Sequence, residues 1–325
     1  MKKHFKKLLL MALMAVMAVG LIACGTDKSD NESTKEEKTS LTITSLDASK
    51  NEIELEVPYN PKRIAILDLA SLDIIDELGV GDRVVGMAST SIDYLEKYSN
   101  DASIKNLGTI KEADLEAVME CEPDIIFIGG RLSKSYDALS EIAPVVYLAT
   151  DTNEGLVNSV SKNAKTIASI FGMEDKVDSL MSDFGARIDA IKKISSGKTA
   201  LVGMTTSGSF NLLGNDGRCS LIGVEAGFNN LTAAGSTSTH GNESSFETVV
   251  QQNPDYIFVM DRDSAISTAG AKTAKEIVEN ELVKTTDAYK NNHIIYLEHS
   301  NVWYTAEGGI QALDIMLTDL EKGLK

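Results

Sequence analysis

Two stretches of this chain repeat one another, and that duplication restricts the possible folds more than any other feature. The segment EAVMECEPDIIFIGGR at 116–131 aligns without gaps on ETVVQQNPDYIFVMDR at 247–262, a constant offset of 131 positions. In each copy a short helical stripe opens at Glu116 or Glu247, Pro123 or Pro254 stops it, and an uninterrupted apolar run follows. Arg131 and Arg262 then fall just past the carboxyl end of a buried strand, the edge along which open α/β sheets bind ligands. Further on, Tyr147-Leu148 answers Tyr296-Leu297 at an offset of 149, so the second copy carries a longer insertion. Two related lobes are predicted.

The rest of the pattern agrees. Strand-length apolar runs at Arg63–Leu67, Val84–Met87, Ile125–Ile128 and Val145–Leu148 alternate with helical stripes such as Leu69, Leu72, Ile75 and Leu78, which ends at Gly79. The alternation resumes with Ala200–Met204, Ile257–Met260 and Ile294–Leu297. The fold class is therefore α/β, two Rossmann-like lobes with parallel sheets. Between them, one stripe runs from Leu156 to Phe171 and breaks at Gly172, and a second continues from Val177 to Ile194 without proline. A single helix from Met173 to Ile194 would be roughly 33 Å long at 1.5 Å per residue, enough to join the lobes stiffly. Large domain closure is not expected of such a connector.

The first residues have another purpose. Lys2, Lys3, Lys6 and Lys7 precede an apolar run from Leu8 to Ile22, the layout of a secretory signal and too short for a comfortable membrane span. The run ends in LIAC at 21–24, so Cys24 is a candidate for lipidation after cleavage; an incidental cysteine behind an ordinary signal is the plainer alternative. From Gly25 to about Ser40 the sequence is polar and reads as a tether. The expected organisation is 1–23 signal, 24–40 lipidated cysteine and tether, 41–172 first lobe, 173–195 connecting helix, and 196–325 second lobe. Cleavage removes four Lys and no acid, which takes the formal charge from −17 to −21. Such a surface repels phosphate backbones, so nucleic acid is not an expected partner. Cys121 and Cys219 share no metal-binding spacing; they could pair, though buried free thiols suit their apolar settings better.

These residues, taken together, resemble the substrate-binding lipoproteins of ABC importers that handle siderophores and vitamin B12, two α/β lobes joined by a rigid helix. The segments ILDLASLDIIDELG at 66–79 and STHG at 238–241 are most similar to those of ferric catecholate binders, including petrobactin binders. The resemblance implies a monomer without a permanent cofactor, carrying an Fe(III)-siderophore as cargo and anchored by lipid on the outer face of the cell membrane. It also implies that Glu116 and Glu247 dock onto the ABC permease; solvated glutamates favouring a helix dipole are the simpler reading.

A ferric tris-catecholate carries a charge of about −3, and an acidic protein can hold it only with a local patch of fixed cations. The resemblance assigns that task to Arg131, Arg218 and Arg262, whose planar guanidinium groups suit catecholate oxygens. Read alone, Arg131 and Arg262 could cap helices or pair with surface acids, and Arg218, after Asn215-Asp216-Gly217, could be an ordinary turn residue. His240 and Tyr304 match the positions that supply iron ligands in the family, and ferric iron accepts both phenolate and imidazole. A loop histidine is otherwise simply solvated. His293 is read as structural, His299 as a weak competitor for His240, and Tyr296 as buried.

An enzyme is not expected. No G-x-S-x-G, H-E-x-x-H, Walker A or G-x-G-x-x-G motif occurs, and Gly129-Gly130 is too short for a phosphate loop. A lipid-anchored hydrolase is the rival from another class. Within the transporter class, a hydroxamate siderophore, haem, cobalamin or a free metal ion is the alternative cargo.

Overall fold

The computed structural model describes residues 38–234 and 237–325. The signal, Cys24 and the tether as far as Glu37 lie outside the described residues. In chain order the strands are β1 (Ser40–Leu46), β2 (Glu52–Pro58), β3 (Ile64–Leu67), β4 (Val84–Met87), β5 (Lys105–Asn106), β6 (Ile125–Ile128), β7 (Val145–Tyr147), β8 (Thr199–Thr206), β9 (Ser209–Leu212), β10 (Asn229–Asn230), β11 (Asn242–Glu243), β12 (Tyr256–Asp261) and β13 (Ile294–Tyr296). The first lobe is built on a parallel sheet of order β5-β4-β3-β6-β7. The second has the order β11-β9-β8-β12-β13, with β10 beside β8; β8, β10, β12 and β13 are parallel, while β9 runs antiparallel to both of its neighbours, β8 and β11. The duplicated strands β6 and β12 pair with β3 and β8 respectively. All four residues of β6 are buried, as are Tyr256 to Met260 of β12, which accounts for their unbroken apolar sequence.

The mechanics of the repeat are visible at its start. Asp114 caps the helix Leu115–Glu120 by accepting from the Ala117 backbone N–H, and Ser245 caps Phe246–Gln252 by accepting from Thr248 N–H. The helix Leu69–Glu77 is capped by Asp68 and is followed by Gly79 at φ +75°, a left-handed stop. Leu156–Phe171 likewise ends at Gly172, φ +66°.

Two features depart from the sequence reading. The connector is not one helix from 173 to 195; it consists of Glu174–Leu180 and Phe184–Ser195 with a turn at 181–183. There the Ser182 hydroxyl donates to the Ser179 carbonyl, a local bond that competes with helical pairing although the apolar stripe itself continues. Ahead of the first lobe, β1 and β2 form an antiparallel hairpin beginning at Ser40, the last residue assigned to the tether. Glu52, Glu54 and Glu56 alternate there with Ile53, Leu55 and Val57, the pattern of a sheet with one wet face. Ser45 fixes the hairpin to the lobe: its hydroxyl accepts from Tyr147 N–H at 3.0 Å.

A second link between the lobes comes from the C-terminal helix Ile310–Gly323, which packs in one core with Leu69–Glu77 and Phe184–Ser195. Asp73 of the first lobe is fully buried and caps that helix from outside, accepting from Gln311 N–H and Ala312 N–H at 2.9 Å each and from the Tyr94 hydroxyl at 2.6 Å. Arg187 of the connector holds the same helix, bonding Glu321 Oε1 at 2.7 Å and pairing with Asp314. Asn301 also reaches across, donating to the Ser91 carbonyl at 2.7 Å.

Burial pushes the Asp73 carboxyl up to about 6, outweighing the three donors that favour its charge. With the folded value above the ordinary 3.8, this group supports the fold most below about pH 4, and that contribution is lost as pH rises through 6. Asp73→Ala should cost about 1–3 kcal/mol by leaving the helix N–H groups unpaired, and should remove this component of the pH dependence. Urea unfolding between pH 4 and 7 checks both.

Candidate functional site

The carboxyl ends of the duplicated strands face one cleft, and the side chains that follow them meet at a single ring. Arg131 lies in the short 3-10 segment after β6, and Arg262 opens the turn of helix directly after β12. Tyr304 belongs to the helix Ser300–Thr305 that follows β13, and it is buried, 3% exposed. The guanidinium carbons of Arg131, Arg218 and Arg262 lie 5.3, 4.5 and 5.6 Å from the centre of its ring. All three are within cation–π range of the same aromatic face or edge. Arg131 comes from the first lobe and the other two from the second.

Each arginine is also fixed by hydrogen bonds. Arg131 donates to the Tyr304 carbonyl at 2.8 Å, tying the lobes at the site. Arg218 donates to the Thr239 carbonyl at 2.7 Å, so the turn and the loop before His240 hold it together. Arg262 donates through Nε to the Tyr304 hydroxyl at 3.2 Å and through Nη1 to Thr206 Oγ1 at 3.1 Å and buried Asp263 at 3.3 Å. These are positioned groups, so the plainer reading of three unrelated surface arginines does not describe them.

The cations act on their surroundings. Burial would raise the Tyr304 phenol, but the Arg262 bond and the charges of Arg218, Arg262 and Arg131 outweigh it and hold the group below the usual tyrosine range. Arg131 is itself pushed down, by burial and then by Arg218. His240 is held low by partial burial and by Arg262, Arg218, Lys111 and Arg131. Its side chain is exposed on the loop, so the neutral imidazole is accessible as a metal ligand.

The cleft has a volume of about 750 Å³, in the range of small-molecule sites. Arg131, Arg218 and Tyr304 line it; Arg262 and His240 do not, Arg262 standing behind the Tyr304 hydroxyl. Sequence reasoning missed three other charged residues in the lining: Lys50, Asp68 and Glu307. Lys50 sits at the tip of the β1–β2 hairpin at φ +67°. Asp68, raised by burial, caps its helix under Gly129, where an added Cβ would stand 2.5 Å from its Oδ1. Glu307 accepts from Cys219 N–H at 2.8 Å, and burial pushes it up to about 7, so at neutral pH its charge is partly quenched. Asp68 stands inside the segment 66–79 and Glu307 three residues after Tyr304, and their inward direction depends on packing that no spacing rule supplies.

The competing groups are otherwise engaged. His299 Nδ1 is 2.8 Å from buried Asp319, which also accepts from Trp303 Nε1 at 2.9 Å. His293 stacks on Tyr256 with ring centres 4.2 Å apart. Tyr296 is half-buried and bonds Glu279 at 3.3 Å. Cys121 and Cys219 are buried free thiols. Glu116 and Glu247 are exposed, each in the first turn of its helix and away from the cleft lining.

A family model described as periplasmic binding protein matches residues 64–300. The chain belongs to the periplasmic binding protein family. The match spans the strands of both larger sheets and includes Arg131, Arg218 and Arg262; Tyr304 lies just beyond it. Among periplasmic binding proteins and their curated relatives, the chain is 36% identical to petrobactin-binding protein YclQ of Bacillus subtilis, over 98% of this chain and 99% of that one. It is 26% identical to ferric-anguibactin-binding protein FatB of Vibrio anguillarum, over 82% and 84%. The crystal structure of YclQ superposes with a TM-score of 0.80, covering 88% of this chain and 99% of that one. The catecholate-siderophore binding protein VctP of Vibrio cholerae, 30% identical, gives 0.78 over 87% and 100%.

Tyr304 should ionise at lower pH than free tyrosine, whereas Tyr94, Tyr98, Tyr136, Tyr147 and Tyr296 are all pushed up by burial. Replacing Arg218 or Arg262 with Ala should move the Tyr304 titration upward, which ring-labelled tyrosine NMR resolves.

Proposed function

We propose that this protein captures a ferric catecholate siderophore outside the cytoplasmic membrane and delivers it to an ABC permease for iron uptake. The observation that carries the reading is the convergence of Arg131, Arg218 and Arg262 on Tyr304 inside a chain of net charge −17. Like charges brought together in a cleft are costly when empty and favourable to an anionic ligand of matching size. Ferric tris-catecholate is such a ligand, and its flat rings suit guanidinium stacking. The names of the relatives, among them a petrobactin binder and an anguibactin binder, support the same class of cargo.

Within this reading the three arginines are ligand contacts. Tyr304, with its lowered phenol, and His240, with its neutral imidazole, are the groups that would enter sites on iron left open by a tetradentate chelator. Iron is cargo here, and no resident cofactor is invoked. Glu116 and Glu247 dock on the permease, and Cys24 carries the lipid that keeps the protein, as a monomer, at the outer face of the membrane. Relatives named as lipoproteins support that location. The absent enzyme motifs and the family of the relatives favour a binding protein over a hydrolase.

Titration with ferric and iron-free catecholates tests the proposal. Trp303, buried beside Tyr304, should lose fluorescence as the coloured complex binds, with a dissociation constant below about 10 μM, or −7 kcal/mol. Arg131→Ala, Arg218→Ala and Arg262→Ala should each weaken binding by roughly 1–3 kcal/mol. Failure to bind any ferric catecholate contradicts the proposal, and binding of a hydroxamate, haem or cobalamin instead keeps the transporter role with different cargo.

A further inference from the structure

The duplicated helix starts carry more than a glutamate. At the offset of 131, Asp114 matches Ser245 as the cap, Leu115 matches Phe246 at the first helical position, and Glu116 matches Glu247 at the second. Leu115 and Met119 are 39% and 58% exposed, unusual for large apolar side chains in this fold. They border an open groove of about 620 Å³ completed by Pro123 and Ile142, with Glu122 and Glu141 at its edges. In the second lobe the corresponding helix borders a groove of about 470 Å³ lined by Phe246, Ile277 and Leu282, with Glu276 and Glu281 at its edges; Leu282 is 42% exposed. Each groove lies between the helix that precedes the duplicated strand and a segment that follows it, Ile142 after β6 and Ile277 to Leu282 after β12.

The charge is unspent on the rim of the first notch and mixed on the second, which Lys272 also lines. Among the described residues, Glu116, Glu122, Glu141 and Glu247 have no ion-pair partner, while Glu281 is held by Lys284 and Glu276 by the Thr273 cap. An apolar notch next to a carboxylate without an ion pair, Glu116 on the helix of the first and Glu247 on the helix of the second, fits a protein segment that offers an apolar side chain beside a cation. Charge alone would give steering and register; the notch supplies the apolar area that holds the contact.

We propose that these paired notches are sockets for the permease, one in each lobe, each receiving an apolar side chain of an extracytoplasmic loop whose neighbouring basic residue meets Glu116 or Glu247. The proposal rests on the permease-docking reading of those two glutamates and adds the apolar half of the contact. It also gives a use to the apolar residue beside each glutamate, Leu115 exposed and Phe246 partly buried.

The experiment is uptake of radio-iron-labelled petrobactin by the native host carrying chromosomal variants, with the fluorescence titration run on each purified protein. Met119→Ser with Leu282→Ser should lower uptake about tenfold at unchanged petrobactin affinity, with the fold retained, since both side chains are exposed, 58% and 42%, in the free protein. The conservative pair Met119→Leu with Leu282→Met should keep uptake. If Glu116→Arg with Glu247→Arg blocks uptake while the serine pair transports normally, docking stands and the sockets are wrong. If neither pair affects uptake, the docking reading fails and the sockets with it. A serine pair that instead abolishes self-association seen in sedimentation, with uptake intact, makes the notches a contact between copies and overturns the proposal.

Discussion

Three guanidinium groups packed around one phenol ring are the constraint on which the cleft depends. Two unit charges a few ångströms apart near a protein surface repel by a few kcal/mol, so this cluster persists only because its surroundings compensate. The Tyr304 ring offers its π surface to all three, Asp263 pairs with Arg262, and the Thr239 and Tyr304 carbonyls accept from Arg218 and Arg131. Of the carboxyls facing the same cleft, both pushed up by burial, Glu307 reaches about 7 and so offsets the positive charge only in part at neutral pH. What is left is a positive site within an acidic protein, prepared for an anion before the anion arrives.

Preparation requires that the two lobes stay in register, because Arg131 belongs to one and Arg218 and Arg262 to the other. The connector of two short helices would not ensure this by itself. Asp73 capping the C-terminal helix, Arg187 bonded to Glu321 and Asp314, and Asn301 bonded to Ser91 all bridge elements distant in sequence. Loss of freedom on binding is then small, since the contacts that define the cleft already exist.

Most of the fold was legible because its signal is periodic. Seven buried strands follow from apolar runs, and the two lobes from the duplication that places Arg131 and Arg262 at equivalent strand ends. The β1–β2 hairpin lies within the bounds of the first lobe save for Ser40, but its alternation of Glu with Ile, Leu and Val is a weaker signal than the unbroken apolar runs and was not singled out as strands. The break at 181–183 is different in kind: the apolar stripe passes straight through it, and only a serine-to-carbonyl bond marks the turn. At the site, the duplication marked Arg131 and Arg262 and the resemblance added Arg218, His240 and Tyr304, but that the three arginines gather round the Tyr304 ring is visible only in the structure. Lys50 and Glu307 escaped because tertiary packing alone decides that a hairpin tip and a glycine-flanked glutamate turn inward.

The central claim is electrostatic, so the most direct measurement compares chelates of equal size and different charge. Titrating the protein with a ferric tris-catecholate and with a neutral ferric tris-hydroxamate, from low to high salt, separates charge from shape. The trianion should bind at least about 100-fold more tightly at low ionic strength, with the advantage shrinking as salt is added. Equal affinities for the two, unchanged by salt, would contradict the account.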